Sequence, residues 1–252
     1  MDLNYLNDLR SAEIDQVLTW FRPVFAGKRV LEIGSGTGIQ LDRLSDIAGQ
    51  LVGLDLADGT YAEAADDRVV TYDGHHIPFA DDSFDVVFSS NVLEHIAHRR
   101  EFQAEIARVL ALDGQCVHVL PTHTWKFWTT VASLVLFPKS LVIGAAVTLR
   151  DRKWKLPKTG GQLIDLLIGP RHGEFGTRLT EYNHFKPSEW AKVFRETGWK
   201  VDAMRPMELF YEGNSVLGSR LGIAQRERLA KVVGSACSLF VLSRQRQSTV
   251  DS

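Results

Sequence analysis

Between residues 28 and 121 the chain alternates short apolar runs with stretches of helical spacing. Residues 30–33, 50–54, 68–72, 84–90 and 114–120 are apolar through most of their length instead of at every second position. A strand with that pattern is covered on both faces, as in a parallel sheet flanked by helices. Residues 40–47 and 102–110 have the 3.6-residue period of the intervening helices. A preceding helix is predicted over 3–25 from Leu6, Leu9, Ile14, Val17, Leu18 and Phe21, ending before Pro23. The alternation fails from about His123 to Phe185. It resumes at Lys186, where Pro187 or Ser188 suits a helix start. Two further strands, 199–210 and 236–243, are predicted with a helical connector between them. The pattern is that of an α/β chain forming one domain over 1–252, with residues 123–186 inserted as a lid or acceptor region.

Composition narrows this only slightly. The 252 residues are 44% hydrophobic and 24% charged with a formal net charge of -2, so no global attraction to nucleic acid or anionic lipid is expected. Cys116 and Cys237 sit inside apolar runs and read as buried free thiols of a reducing compartment. The N-terminal residues lack the basic start and apolar core of a signal peptide, which makes the cytoplasm the default location.

The chemistry concentrates where the first strand meets glycines, in Val30-Leu31-Glu32-Ile33-Gly34-Ser35-Gly36-Thr37-Gly38. Glycines there let the backbone turn sharply and admit a ligand without a Cβ in the way. Amide groups at the start of the following helix can bind ligand polar atoms. Asp55, at the end of the next strand, can accept the two hydroxyls of a ribose. The third glycine falls one position early for the dinucleotide pattern, and no phosphate-loop lysine follows it. A tight turn without a ligand is the plain alternative.

Leu31-Glu32-Ile33-Gly34-Ser35-Gly36-Thr37-Gly38 resembles motif I of the class I S-adenosylmethionine (SAM)-dependent methyltransferases. The resemblance continues in Tyr72-Asp73-Gly74-His75-His76-Ile77-Pro78-Phe79, Asp82 to Val87, Asn91 to Ile96 and Ile106 to Leu110, and it is similar to the quinone-biosynthesis branch. It implies a Rossmann-like, doubly wound sheet of seven strands, mostly parallel with an antiparallel final hairpin, and SAM as cofactor. By resemblance Glu32, Gly34, Ser35, Gly36 and Gly38 surround the methionine part. Asp55 holds the ribose with Leu56 beside it, Asp73 and Gly74 meet the adenine, and Asn91 lies under the sulfonium. Carboxylates suit a cationic ligand rich in donors. Asp113-Gly114 departs from the double glycine usual before the fifth strand. Some relatives bind a divalent ion through Glu-x-x-Glu-His, but Asn91 occupies the first position here, so no metal is expected. Glu94 and His95 then read as helix-start residues, and His75 and His76 as solvent-facing beside the adenine pocket.

For the acceptor, His123 follows the fifth strand at the sheet's carboxyl edge and is the first candidate base. His172 leads a second cluster with Glu174, Glu181 and His184; hydrogen bonding within the lid is the alternative for each. Residues 128–149 are largely apolar, interrupted at Pro138-Lys139-Ser140. Lys126 precedes them, Arg150, Arg152, Lys153, Lys155 and Lys158 follow, and Trp125, Trp128 and Trp154 lie near the ends. A lid over the acceptor pocket and a helical pair in a membrane interface both use such residues, so 126–158 is a candidate membrane-surface segment; Pro138 argues against a simple span. The expected activity is methyl transfer from SAM to a small-molecule acceptor, hydrophobic or lipid-linked. The alternatives are a non-catalytic SAM-binding protein or an NAD-dependent oxidoreductase. No nucleic-acid partner is expected, because neither a basic face nor an Asn-Pro-Pro-Tyr/Phe type motif is present.

Overall fold

The computed structural model describes residues 3–57, 67–151, 157, 159–214 and 216–245. Seven strands form one sheet: β1 (Arg29–Ile33), β2 (Gln50–Leu56), β3 (Val69–Tyr72), β4 (Phe84–Ser90), β5 (Leu110–Pro121), β6 (Trp199–Pro206) and β7 (Cys237–Arg244). Their order is β3-β2-β1-β4-β5-β7-β6. β1 to β5 pair in parallel, while β7 runs antiparallel to both β5 and β6. The chain moves outward in one direction from β1 to β3 and in the other from β4. This opens a crevice at the carboxyl ends of β1 and β4, the switch point where such sheets bind ligands. The apolar runs become the centre of the sheet: Val30, Leu31, Phe88 and Val117 are fully buried. Cys116 and Cys237 are buried and free, as expected.

The helices are α1 (Leu3–Phe25), α2 (Ile39–Ser45), α3 (Arg99–Val109), α4 (His123–Asp151), α5 (Gly160–Ile168), α6 (Glu181–His184), α7 (Pro187–Glu196) and α8 (Ile223–Val233). α7 opens on Pro187, whose fixed φ and missing N–H suit a first turn. Three boundaries differ from the sequence expectation. α1 continues through Pro23 after a kink at Phe21 (φ -130°, ψ 23°), because a helix can bend at a proline and resume. β6 ends at Pro206, yet the chain stays beside β7 a little further, the Met207 amide donating to the Cys237 carbonyl and the Ala236 amide to the Leu209 carbonyl. Most notably, α4 runs unbroken for 29 residues through Pro138, where a helix pair was expected. The helix continues on both sides of Pro138 at the cost of one backbone hydrogen bond.

Residues 123–186 lie between β5 and α7. The first turns of α4 are anchored on the sheet body: Trp125, Lys126, Thr129, Ala132 and Ser133 are buried. Thr129 Oγ1 accepts from the Gly213 amide at 2.8 Å, and Trp128 Nε1 donates to the Val233 carbonyl at 3.1 Å. Beyond Ser133 no described side chain of α4 is buried, and none is in α5. One internal ion pair ties the region together. Lys126 Nζ lies 2.8 Å from Glu181 Oε2 and 3.0 Å from the Pro170 carbonyl, with both side chains almost fully buried. Glu181 Oε1 accepts from the amides of His172 (2.7 Å) and Gly173 (2.8 Å). Lys153, Trp154 and the neighbouring basic residues Arg152, Lys155 and Lys158 lie outside the described residues, as does the side chain of Arg150.

Candidate active site

The glycine loop leaves β1 with Gly34, Gly36 and Gly38 all at positive φ (75°, 53° and 80°). A side chain at Gly34 would be strained and would run into Val92, which closes the floor beneath it. The loop is held by its neighbours. Ser35 Oγ accepts from the Leu54 amide (3.1 Å) and donates to the Glu32 carbonyl (3.2 Å). Asp55 Oδ2 accepts from the Gly36 amide at 2.6 Å, and its Oδ1 from the Leu56 amide at 2.7 Å. Above the loop opens a cavity of about 610 Å³, within the size range of cofactor sites. Gly34, Ser35, Gly36, Asp55 and Leu56 line it, as do Asp73, Gly74 and Asn91. Gly38 stands just outside as the residue capping α2.

Two ends of the cavity are chemically distinct. At one, Asp73 Oδ1 accepts from the amides of His75 and His76, both at 2.8 Å, which hold its carboxyl below the usual range. His98 Nε2 donates to the Gly74 carbonyl at 3.0 Å and its ring stacks on His75, centroids 4.2 Å apart. Both imidazoles are exposed, as expected; His75 also lines the cavity, whereas His76 turns to Glu105. At the other end sits Asn91, at φ 55°, its Nδ2 donating to Ser90 Oγ (3.0 Å) and its Oδ1 accepting from Cys237 Sγ (3.3 Å). Cys237 in turn meets the Tyr211 hydroxyl at 3.0 Å, and that hydroxyl donates to Glu13 at 2.7 Å. Arg10, paired with Glu13, reaches the cavity wall. Nothing in the helical spacing of α1 marked Arg10 as a site residue. It becomes one only through the packing of α1 across the crevice.

Glu32 does not line the cavity. It is fully buried beneath the loop, and neither carboxyl oxygen has a hydrogen-bond partner. Desolvation, and secondly the charge of Asp55, push its pKa well above the usual carboxylate value. The folded chain thus holds this proton more tightly than the unfolded chain. Its contribution to stability is complete below the unfolded pKa and is lost as pH rises toward the folded one. Glu32→Gln removes that loss. Its stability advantage over wild type is expected to grow between pH 5 and pH 8 in urea denaturation, and parallel curves would contradict this.

Toward the lid, Glu94 is fully buried in the 3-10 turn Leu93–His95, again with neither oxygen hydrogen-bonded. Two imidazoles face it: His172 Nε2 lies 3.7 Å and His95 Nε2 3.8 Å from Glu94 Oε1. The His172 ring packs against His95 (4.7 Å) and Trp125 (4.5 Å). Partial burial, outweighing the nearby Glu94 charge, lowers the pKa of His95. His95 lines the cavity. His123 does not: it stands exposed at the first turn of α4, bound through its amide to the Phe185 carbonyl. Glu174 pairs with Arg171 and Glu181 with Lys126, so of the second expected cluster only His172 brings its side chain to the Glu94 carboxylate, while the Glu174 amide donates to the Glu94 carbonyl at 2.9 Å. His95 was missed as a candidate because its histidine partner arrives from far along the chain. One ligand atom each from Glu94, His95 and His172 lies within 4.8 Å of the others, a spacing that also suits a cation. Asn91 contributes nothing there, being turned toward Ser90 and Cys237.

A glycine loop and two acidic strand ends, gathered at the switch point of a doubly wound sheet, define a nucleoside-cofactor-binding α/β protein. The comparisons specify the cofactor. Residues 31–118 match the family described as methyltransferase domain. A demethylmenaquinone methyltransferase of Clavibacter sepedonicus is 35% identical over 99 residues, 36% of this chain and 40% of that protein. A ubiquinone biosynthesis O-methyltransferase of Ruegeria sp. is 29% identical over 120 residues, 44% of this chain and 48% of that protein. The chain thus spans less than half the length of these curated relatives. In fold it resembles a SAM-dependent methyltransferase of Mesorhizobium loti (TM-score 0.54, 15% identity, covering 93% of this chain and 98% of that one). Residues 31–118 thus resemble the SAM-dependent methyltransferases in sequence, the whole sheet resembles them in fold, and both likenesses indicate SAM as the cofactor.

Proposed function

We propose that the protein transfers a methyl group from SAM to a small hydrophobic acceptor, lipid-linked in its fullest form, with His95 receiving the acceptor's proton. One observation carries this reading: a single cavity joins the acidic ends of β2 and β3 to His95, which is backed by buried Glu94 and by His172. When bound, SAM supplies an electrophilic methyl group that needs no further activation.

The chain's residues supply binding, alignment and proton transfer. Asp55 and Asp73 have carboxylate oxygens for the ribose hydroxyls and the adenine amino group. Arg10 offers a cation for the cofactor's carboxylate at the Asn91 end. His95 is suited to take a proton from an acceptor hydroxyl, and the buried Glu94 carboxylate stabilises the resulting imidazolium. Trp125 and Phe185 pack around His172 and give that side of the site an apolar, aromatic character. Relatives named for menaquinone and ubiquinone chemistry support a hydrophobic acceptor.

The test begins with calorimetric titration against SAM, its demethylated product and NAD. It then follows methyl label into lipid extracts and quinol precursors. Saturable SAM binding without NAD binding, together with labelled product, is the expected result. His95→Gln should lower turnover about a hundredfold with SAM affinity unchanged. Binding without product from any acceptor would favour the non-catalytic alternative. The spacing of Glu94, His95 and His172 favours one second reading, a divalent cation orienting an acceptor oxygen, and loss of turnover on chelation would select it.

A further inference from the structure

α4 departs from ordinary lid behaviour halfway along its length. Its first turns are buried against the body, yet from Leu134 onward the helix continues with no described side chain buried. At 1.5 Å per residue, the stretch from 134 to 151 is about 27 Å long. Polar residues would be expected on such an arm, but Leu134, Val135, Val142 and Ile143 are all at least half exposed. Phe127, Leu134 and Val142 follow one another at seven- and eight-residue steps and so share a side of the helix. α5 packs beside α4 and adds exposed Leu163 and Ile164. Residues 123–147 are long and apolar enough to cross a bilayer, with a mean hydropathy of 1.8 over their most apolar window. Only 12% of that window is buried, far less than in a core helix.

Charge identifies what covers this face. The sequence following α4's apolar stretch, residues 150–158, holds five basic side chains and one acidic, in a chain whose overall charge is -2. Lys139 interrupts the apolar run with an exposed ammonium. An apolar helix bordered by cations matches an anionic lipid surface: hydrocarbon for the apolar side chains, phosphate headgroups for the basic ones. A partner copy of the same chain would bring identical basic runs together.

We propose that the outer half of α4, with α5, docks on an anionic bilayer, lying in the interface with its apolar side at the acyl boundary. Because the inner turns of the same helix carry Trp125 and Lys126 beside His172, docking brings the candidate site to the membrane surface, where a lipid-linked acceptor resides. That last consequence rests on the proposed function; docking does not.

Vesicle sedimentation tests it with the full chain, using phosphatidylcholine vesicles with and without phosphatidylglycerol. Wild type is expected to bind the anionic vesicles and to release from them in high salt, with weak binding to phosphatidylcholine alone. Leu134→Glu/Val142→Glu changes only exposed side chains and should weaken vesicle binding at least about tenfold while leaving SAM affinity intact. Wild type remaining in the supernatant with both vesicle types, or equal binding by the variant, would overturn the proposal. So would dimerisation that depends on Leu134 and Val142 in the absence of vesicle binding. Vesicle binding by a chain that binds no SAM would uphold docking and sink the proposed function instead.

Discussion

Asp55→Ala is expected to lower SAM affinity about a hundredfold or more. The side chain does two things at once: it accepts from the Gly36 and Leu56 amides, fixing the loop, and it faces the cavity where a ribose would lie. Removing it leaves the Gly36 amide without its acceptor and the ribose hydroxyls without theirs. Hydrogen bonds to a charged group are worth roughly 1.5–3 kcal/mol each, and about 1.4 kcal/mol is tenfold in affinity. Two such losses, even when not additive, reach a hundredfold. Calorimetric titration of wild type and variant gives the ratio, and an affinity within about threefold of wild type would show that the cofactor is held elsewhere. Asp55→Asn keeps an acceptor oxygen and should fall between the two.

Lys126→Met is expected to have the largest effect on stability. Its stem keeps the packing volume, but Glu181 is left fully buried without its cation. Breaking a buried ion pair from one side costs about 3–5 kcal/mol. For a chain of this size, that lowers the melting temperature by roughly 10 °C. The damage should be greatest around Arg171–Phe185, because Glu181 fastens the His172 and Gly173 amides. Limited proteolysis should therefore cut there first. Lys126→Met/Glu181→Gln removes both charges and should recover part of the loss. A midpoint shift corresponding to less than about 1 kcal/mol for Lys126→Met would mean that water reaches this pair.

How much of this was legible in the sequence follows from how far each feature reaches along the chain. The cofactor half was readable because its determinants are local. Glycines at positive φ and carboxylates at strand ends leave fixed spacings between Val30 and Asn91, and the cavity contains most of the residues so marked. Glu32 carries the same motif but is buried beneath the loop, in a strand covered on both faces. The acceptor half was not readable. His95 resembled any residue at a helix start until His172 was packed against it, and His172 is placed by Lys126 and Glu181, 55 residues apart in sequence. His123 looked suitable from its position after β5, yet the first turn of α4 leaves it in solvent. Pro138 was read as a break because its local cost is large. α4 shows that a long apolar stretch can absorb that cost without turning.

The place of β7 has a consequence for how the chain is synthesised. β6 pairs with no strand but β7, and β7 also covers the open side of β5. During translation β6 leaves the ribosome before β7 and has nothing to join, while β5 waits as an unpaired edge through more than a hundred residues of further growth. Until Arg244 has emerged, the nascent protein exposes two sticky strand edges and an incomplete pocket wall, for Cys237 is the residue that meets Asn91. Its most vulnerable interval therefore falls between the emergence of Pro206 and that of Arg244, when nearly all of the cofactor site has been made and the strand that closes the sheet has not.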